Sequence, residues 1–299
     1  MWLGRYRRKT LLVDSAGQRN LAAERSHGYL TRDNSSPRQI LDAAEADVAR
    51  YPTVHAHRGG ISALRRETDG FVAMVDGEEH TAQRILLATG VEDAFPEVSG
   101  FRELYGRAIF HCPCCDGYEA RDKDVLAIGW GEHVAGFSLD LLDWGARVTV
   151  VTNGEPWQAD EKCASALERH NVLVSEEKIA SFETKDGEMK GALLASGGFV
   201  PASLAFFSIA HEPRTDLARQ LGCAIDKDGY VTVDAHGETS IAGVYAAGDV
   251  TPGEQLVQVA AAQGAVAGIA CAMSLRGEGA PPGAPDPGPD PQTELPRLD

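Results

Sequence analysis

From Asp124 to Thr152 the sequence leaves little freedom. Val125-Leu126-Ala127-Ile128 is a continuous apolar run of strand length, Gly129-Trp130-Gly131 interrupts it, Glu132 to Trp144 carries a helical pattern, and Arg147 to Thr152 is apolar again. Strand, glycine turn, helix and strand in that order form a β-α-β unit with Gly-x-Gly where the first strand meets the helix. Glycines at that point let the backbone approach a pyrophosphate while the helix N-terminus faces it. Gly129 and Gly131 are therefore candidate dinucleotide contacts, and Val134 stands where a third small residue normally permits close helix–strand contact. The second strand ends Val150-Val151-Thr152-Asn153-Gly154, with neither a carboxylate for the ribose of NADH nor arginines for the 2′-phosphate of NADPH, so both cofactors stay open.

Just before this unit stands His111-Cys112-Pro113-Cys114-Cys115-Asp116-Gly117. Two cysteines three positions apart share one side of a helical turn, and the N-terminus of a helix favours the thiolate. Cys112 and Cys115 are the expected redox pair. A bond between neighbours such as Cys114 and Cys115, about 3.8 Å apart at Cα, lies outside disulfide geometry. Asp116 follows the second sulfur and is placed to exchange a proton with a leaving thiol. The alternative is a metal knuckle of His111, Cys112, Cys114 and Cys115, but no second Cys-x-x-Cys or His-x-x-x-His supplies the other half of a tetrahedral site, so no metal is expected.

Elsewhere the chain reads as follows. Lys9 to Val13 is an apolar run ending in Asp14, an acid at the end of a strand of the kind that holds an adenosine ribose; the chain begins on what looks like the last turn of a preceding helix. Residues 20–36 form a loop, and Ser36-Pro37 caps an amphipathic helix over Gln39 to Arg50. Val54 to Ala56 is a short strand, Ile61 to Ala82 a meander with turns at Asp69-Gly70 and Asp76-Gly77, and Ile85 to Gly90 a buried strand. Cys163, Cys223, His170 and His211 have no partner visible in the sequence. Gly229 to Asp234 and Val244 to Asp249 read as strands. The second ends in Gly248-Asp249, where a turn and a carboxylate can hold a cofactor's polyol. Val257 to Leu275 reads as a tightly packed buried helix, not a membrane span, and 277–299, rich in Pro, Gly, Asp and Glu, as a disordered tail.

A chain of 299 residues with 43% apolar content can hold two domains, and a formal charge of −16 argues against nucleic acid and anionic membrane as partners. Six cysteines with only three clustered fit a reducing compartment, and the basic N-terminus lacks the apolar core of a signal peptide, so the cytoplasm is the expected location.

Together these residues resemble the low-molecular-weight thioredoxin reductase family of FAD-dependent pyridine nucleotide-disulfide oxidoreductases. The resemblance rests on Cys112-Pro113-Cys114-Cys115-Asp116-Gly117, on Ala88-Thr89-Gly90 as the crossover strand and on Ala246-Ala247-Gly248-Asp249 as the returning flavin motif, and it spans Leu3 to about Leu275. It implies an α/β fold of two Rossmann-like three-layer domains. A discontinuous, N-terminally truncated FAD domain would take 1–108 and 240–276, with an NAD(P)H and redox-disulfide domain over 109–239. Asp14, Asn20, Thr89, Gly90, Gly248 and Asp249 would face FAD, and Gly129 and Gly131 would face NADPH or NADH. In the family, electrons pass from NAD(P)H through FAD to the disulfide and on to a partner. Cys115 would face the flavin, Cys112 would attack the substrate, and a homodimer would be the assembly.

The sequence departs from the family in four places. The flavin-phosphate glycine turn is missing, the Arg-Gln-Ala after Gly-Asp is replaced near Leu256-Val257-Gln258, the NADPH arginines are absent, and Tyr118-Glu119 follows the redox pair. Some of these features resemble a side branch that includes dithiol oxidases of natural-product pathways. The expected substrate is accordingly a thioredoxin-like protein or a small dithiol or disulfide. The alternatives are an oxygen-using dithiol oxidase and a non-catalytic remnant that acts as a binding partner.

Overall fold

The computed structural model describes residues 1–208 and 211–276; the expected tail over 277–299 lies outside the described residues. The described residues form two compact units, one of residues 1–15, 47–90 and 215–276, the other of 16–46, 91–208 and 211–214. The borders expected from the sequence, at 108 and 240, lie later in the chain. Packing moves them, because Ala218, Leu221, Cys223 and Val231 share a core with Leu64, Phe71 and Val244.

The second unit is built on a five-stranded sheet in the spatial order Leu173–Ser175, Arg147–Val151, Asp124–Gly129, Leu204–Ser208, Ile109–Phe110, and every pairing in it is parallel. The uninterrupted apolar runs have their cause here: a parallel strand covered on both faces needs no polar side. Leu126, Ala127, Ile128, Val150, Val151 and Phe206 are fully buried. The helix after the glycine turn is shorter than its pattern suggests, running His133–Asp140 and tightening into a 3₁₀ turn over Leu141–Asp143. Antiparallel strands Ile179–Lys185, Glu188–Leu194 and Phe199–Pro201 form a side sheet, and Val91–Asp93 pairs with His211–Pro213 in a short ribbon.

Segment 16–46 packs with this unit although it precedes the rest of it in sequence. It holds a 3₁₀ turn over Arg19–Ala22 and the start of the helix Pro37–Val48, capped by a reciprocal pair: Gln39 N donates to Ser36 Oγ (3.2 Å) and Ser36 N donates to Gln39 Oε1 (2.9 Å). Gly106, at φ +79°, lets the segment approach closely, since a Cβ there would lie 2.4 Å from the carbonyl oxygen of Ala22.

In the first unit the parallel strands stand as two separate pairs, Thr10–Asp14 with Val54–Arg58 and Ile85–Leu87 with Val244–Ala246, beside the meander Ile61–Glu67, Gly70–Val75 and Glu78–Ala82. Leu11 and Leu12 remain 41% and 44% exposed. The expected strand over Gly229 to Asp234 does not form. Val231 and Val233 make only isolated bridges, to Ile225 and Thr239, because no neighbouring strand continues the ladder. The helix Val257–Ser274 is half open: Ala267, Gly268, Cys271 and Ala272 are its buried residues, facing Tyr245, Ala247 and Leu3. Its apolar content points to full burial but does not require it, since alanine satisfies an exposed helix face as readily as a buried one. By length and composition this helix could cross a membrane.

Candidate active site

Cys112 and Cys115 are joined by a disulfide with their Cα atoms 5.2 Å apart. Local sequence explains the ring. Cys112 is the N-cap of a single helical turn, Pro113–Asp116, with proline at the first position, where its missing N–H costs nothing and its fixed φ suits the helix. The side chain of Cys112 takes the capping role, accepting from Cys115 N at 3.1 Å. That donor and the free helix end would stabilise a Cys112 thiolate. Cys114, between them, is exposed and free.

Asp116 ends the turn, and a 3₁₀ turn over Gly117–Ala120 follows directly. Burial pushes the Asp116 carboxyl up to about 7; the charge of His27 pulls it down and that of Glu119 pushes it further up. Gly117 is buried against Trp144, and a Cβ there would meet the indole at 2.7 Å, which fixes where the turn sits.

On the residue before the ring, sequence reasoning missed a buried polar chain. Arg19 forms an ion pair with Asp93, whose carboxylate also accepts from Tyr105 Oη at 3.1 Å, and Tyr105 Oη lies 3.0 Å from His111 Nδ1. Burial would raise the Asp93 carboxyl, but its bonds to the Arg19 guanidinium hold it below the usual range. Tyr105 is pushed upward by burial and by Asp93. Its single hydroxyl proton therefore goes to the Asp93 carboxylate, so His111 donates from Nδ1 and keeps its lone pair on Nε2. Burial, with the nearby Arg19 charge, lowers His111 to about 4, so the ring is neutral at physiological pH. His211, which had no visible partner in the sequence, also acts electrostatically on His111. The only local hint was the position of His111 beside Cys112.

The nucleotide turn lies in the same unit. A Cβ on Gly129 would sit 2.7 Å from Ser208 O and 3.0 Å from Val134 Cγ2, so the bare glycine admits the larger Val134 where a small residue is usual. Gly131 turns at φ +91° just before the His133–Asp140 helix. At the end of the second strand the Thr152 hydroxyl bonds Glu155 O and Asn153 Oδ1 accepts from Ile179 N, so neither offers a carboxylate to a ribose.

Asp14, Thr89, Gly90, Gly248 and Asp249 belong to the first unit, whereas Asn20, in the Arg19–Ala22 turn, belongs to the second with the cysteines and Asp116. Asp14 ends its strand and pairs with Arg58 Nη1 at 2.6 Å. Gly248 N donates to Gln263 Oε1 (2.7 Å) and Thr251 Oγ1 donates to Gly248 O (2.9 Å), so Gln263 ties the Gly-Asp turn to the last helix. Gly90 adopts φ +67° with nothing within 4 Å of where a Cβ would stand, an open cradle at the end of its strand. Carboxylates at strand ends and an open glycine fit the ribose and polyol of a flavin dinucleotide. Among the described residues, this unit has no strand–glycine turn–helix to cradle the phosphates.

Residues 9–264 match the family described as pyridine nucleotide-disulphide oxidoreductase. Thioredoxin reductase sirT of Leptosphaeria maculans is 29% identical over 276 residues, covering 85% of this chain and 84% of its own. An alkyl hydroperoxide reductase protein of Pseudomonas putida is 32% identical over 215 residues, 67% of this chain and 40% of its own. The crystal structure of an oxidoreductase from Agrobacterium tumefaciens superposes with a TM-score of 0.82 at 33% identity, covering 92% of each chain.

Proposed function

The chain belongs to the pyridine nucleotide-disulphide oxidoreductase family, and we propose that it is a thiol/disulfide oxidoreductase moving electrons between NAD(P)H, FAD and the Cys112–Cys115 pair to a thioredoxin-like protein or a small dithiol or disulfide. The observation that carries this reading is the Cys112–Cys115 disulfide on an N-terminal helical turn with Asp116 directly behind it.

FAD, when bound, supplies the two-electron relay between a nicotinamide and the disulfide. Asp14, Gly90, Gly248 and Asp249 would hold its sugar and polyol, and Gly129 and Gly131 would admit the phosphates of NAD(P)H. Cys112, whose sulfur accepts the Cys115 N–H, is the thiolate that attacks a substrate disulfide. Cys115 then closes the ring again and releases the reduced substrate, and Asp116 protonates the leaving thiolate. The relatives named above carry different functional names, thioredoxin reductase and alkyl hydroperoxide reductase, so the final acceptor is a matter for assay.

The test is the visible spectrum of the purified chain with FAD and then NADPH or NADH, followed by thiol titration. Flavin bands that bleach on addition of the nicotinamide, with two new thiols, are the expected result. A colourless protein that ignores added FAD overturns the reading and favours a non-catalytic binding partner.

A further inference from the structure

The first unit carries a cavity of about 490 Å³, lined by Gly4, Arg5, Arg7, Tyr51, Pro52 and Thr53. That volume lies in the range of small-molecule sites. Thr10 pairs with Val54 and Asp14 with Arg58, so Thr53 stands where these parallel strands start and Asp14 where they finish. Dinucleotides bind beyond the finishing ends. The cavity is therefore a separate place.

Its walls are held by the chain itself. A Cβ on Gly4 would lie 2.7 Å from the Tyr51 side chain, so the bare glycine lets the Trp2–Arg5 helical turn rest on that ring. Thr10 N donates to Thr53 O at 2.9 Å, and Arg8 is tied elsewhere, its Nε and Nη2 both donating to Ala272 O at 3.0 and 2.8 Å. The Arg5 guanidinium lies 5.7 Å from the centre of the Trp2 ring, and its Nη1 donates to Tyr51 Oη at 3.4 Å.

Two lining groups serve nothing inside the chain. After the Trp2–Arg5 turn, Arg8 N donates to Leu3 O and Arg7 N to Gly4 O, a helix closure whose left-handed residue is ordinarily glycine. Arg7 holds that position at φ +59°, and its exposed guanidinium makes no hydrogen bond or ion pair among the described residues. Thr53 Oγ1 is buried with no partner among the described residues, where such a group ordinarily finds one. A side chain kept on strained backbone without an internal partner is the mark of a functional position.

We propose that this cavity binds a small organic phosphate, with Arg5 and Arg7 on the phosphoryl oxygens, the Thr53 hydroxyl donating to one of them, and the body of the ligand against Tyr51 and Pro52. Two guanidiniums and a hydroxyl suit a group with several acceptor oxygens and more than one negative charge. No lining residue is acidic, although the chain carries 44 Asp and Glu against 28 Lys and Arg. The site goes beyond the thiol/disulfide reading and needs neither FAD nor the cysteine ring.

Titration calorimetry of the full chain with phenyl phosphate tests the site. One equivalent should bind, more weakly as salt rises, and equally well with NADH and FAD present in excess. Arg7→Gln should weaken binding about tenfold or more, and Thr53→Val, which keeps the shape and removes the hydroxyl, should weaken it less. Arg7→Gly should lose as much as Arg7→Gln while its thermal midpoint holds or rises, because glycine suits the left-handed backbone. That pair of signs separates a missing guanidinium from a damaged fold. Benzoate, with one charge and two oxygens, should bind more weakly than phenyl phosphate. No binding, binding unchanged in Arg7→Gly, or displacement by NADH or FAD overturns the proposal and leaves the oxidoreductase reading untouched. Benzoate bound as tightly as phenyl phosphate overturns the assignment to a phosphate.

Discussion

The two units are built from the same kind of part and finished to different degrees. In the second, five parallel strands run edge to edge around a core of fully buried Leu126, Ile128, Val150 and Phe206. In the first, the parallel strands stand as two separate pairs and Leu11 and Leu12 lie open to solvent. The complete sheet holds the redox ring, its acid and the nucleotide turn. The divided one holds the carboxylates and the open glycine that fit a flavin. The redox ring and its acid therefore lie in the unit with the continuous sheet, and most of the residues expected to face a flavin lie in the other, whose own core holds Leu64, Phe71, Val231 and Val244.

That contrast can be broken most sharply at the ring. Cys112→Ser and Cys115→Ser should each abolish disulfide turnover, whereas Cys114→Ser should retain it, measured by thiol release from a model disulfide after chemical reduction. In the same assay Asp249→Asn should exchange normally and lose only flavin in the visible spectrum. If Asp249→Asn lost exchange as fully as Cys115→Ser, the chemistry would not be confined to the second unit.

Packing gives the next largest effect. Phe206→Ala, at a fully buried ring in the complete sheet, should cost about 3–5 kcal/mol in a denaturant titration. Leu12→Ala, at a side chain 44% exposed in the divided sheet, should stay within about 0.5 kcal/mol. Equal losses would mean that Leu12 is packed as firmly as Phe206.

The smallest of the three is a pH effect in the second unit. Burial holds His111 at about 4 in the folded chain, below its ordinary 6.5, so the unfolded chain binds the extra proton first. Stability is then complete above the unfolded value and is lost as pH falls through that window, by up to about 3 kcal/mol. Asp93, held low by Arg19, adds a loss of the same sign at lower pH. The unfolding midpoint should drop less between pH 6.5 and 4 in His111→Gln than in the parent chain.

What the sequence made legible follows the same division. Val125 to Ile128 and Arg147 to Thr152 could be read because a doubly covered strand is apolar throughout, and the cysteine pair because its geometry is local to one turn. The Arg19–Asp93–Tyr105–His111 chain could not, since its ion pair joins residues 74 positions apart and no local pattern marks either end. The grouping of Cys223 and Val231 with the core of Leu64 and Phe71 was hidden for a related reason, since it joins residues across a long stretch of sequence. Glu119 stands out in the sequence only as a departure from a family pattern. Its buried oxygen is a property of the fold.

The capping role of the Cys112 sulfur has a kinetic consequence. Because the helical turn spaces the two cysteines, with their Cα atoms 5.2 Å apart, opening the bond does not set either thiol adrift. Each faces the other at a local concentration far above that of any thiol in solution. On the proposed reading, a substrate captured on Cys112 would be released almost as soon as it is bound, and the adduct would live long enough to be isolated only where Cys115 has become serine.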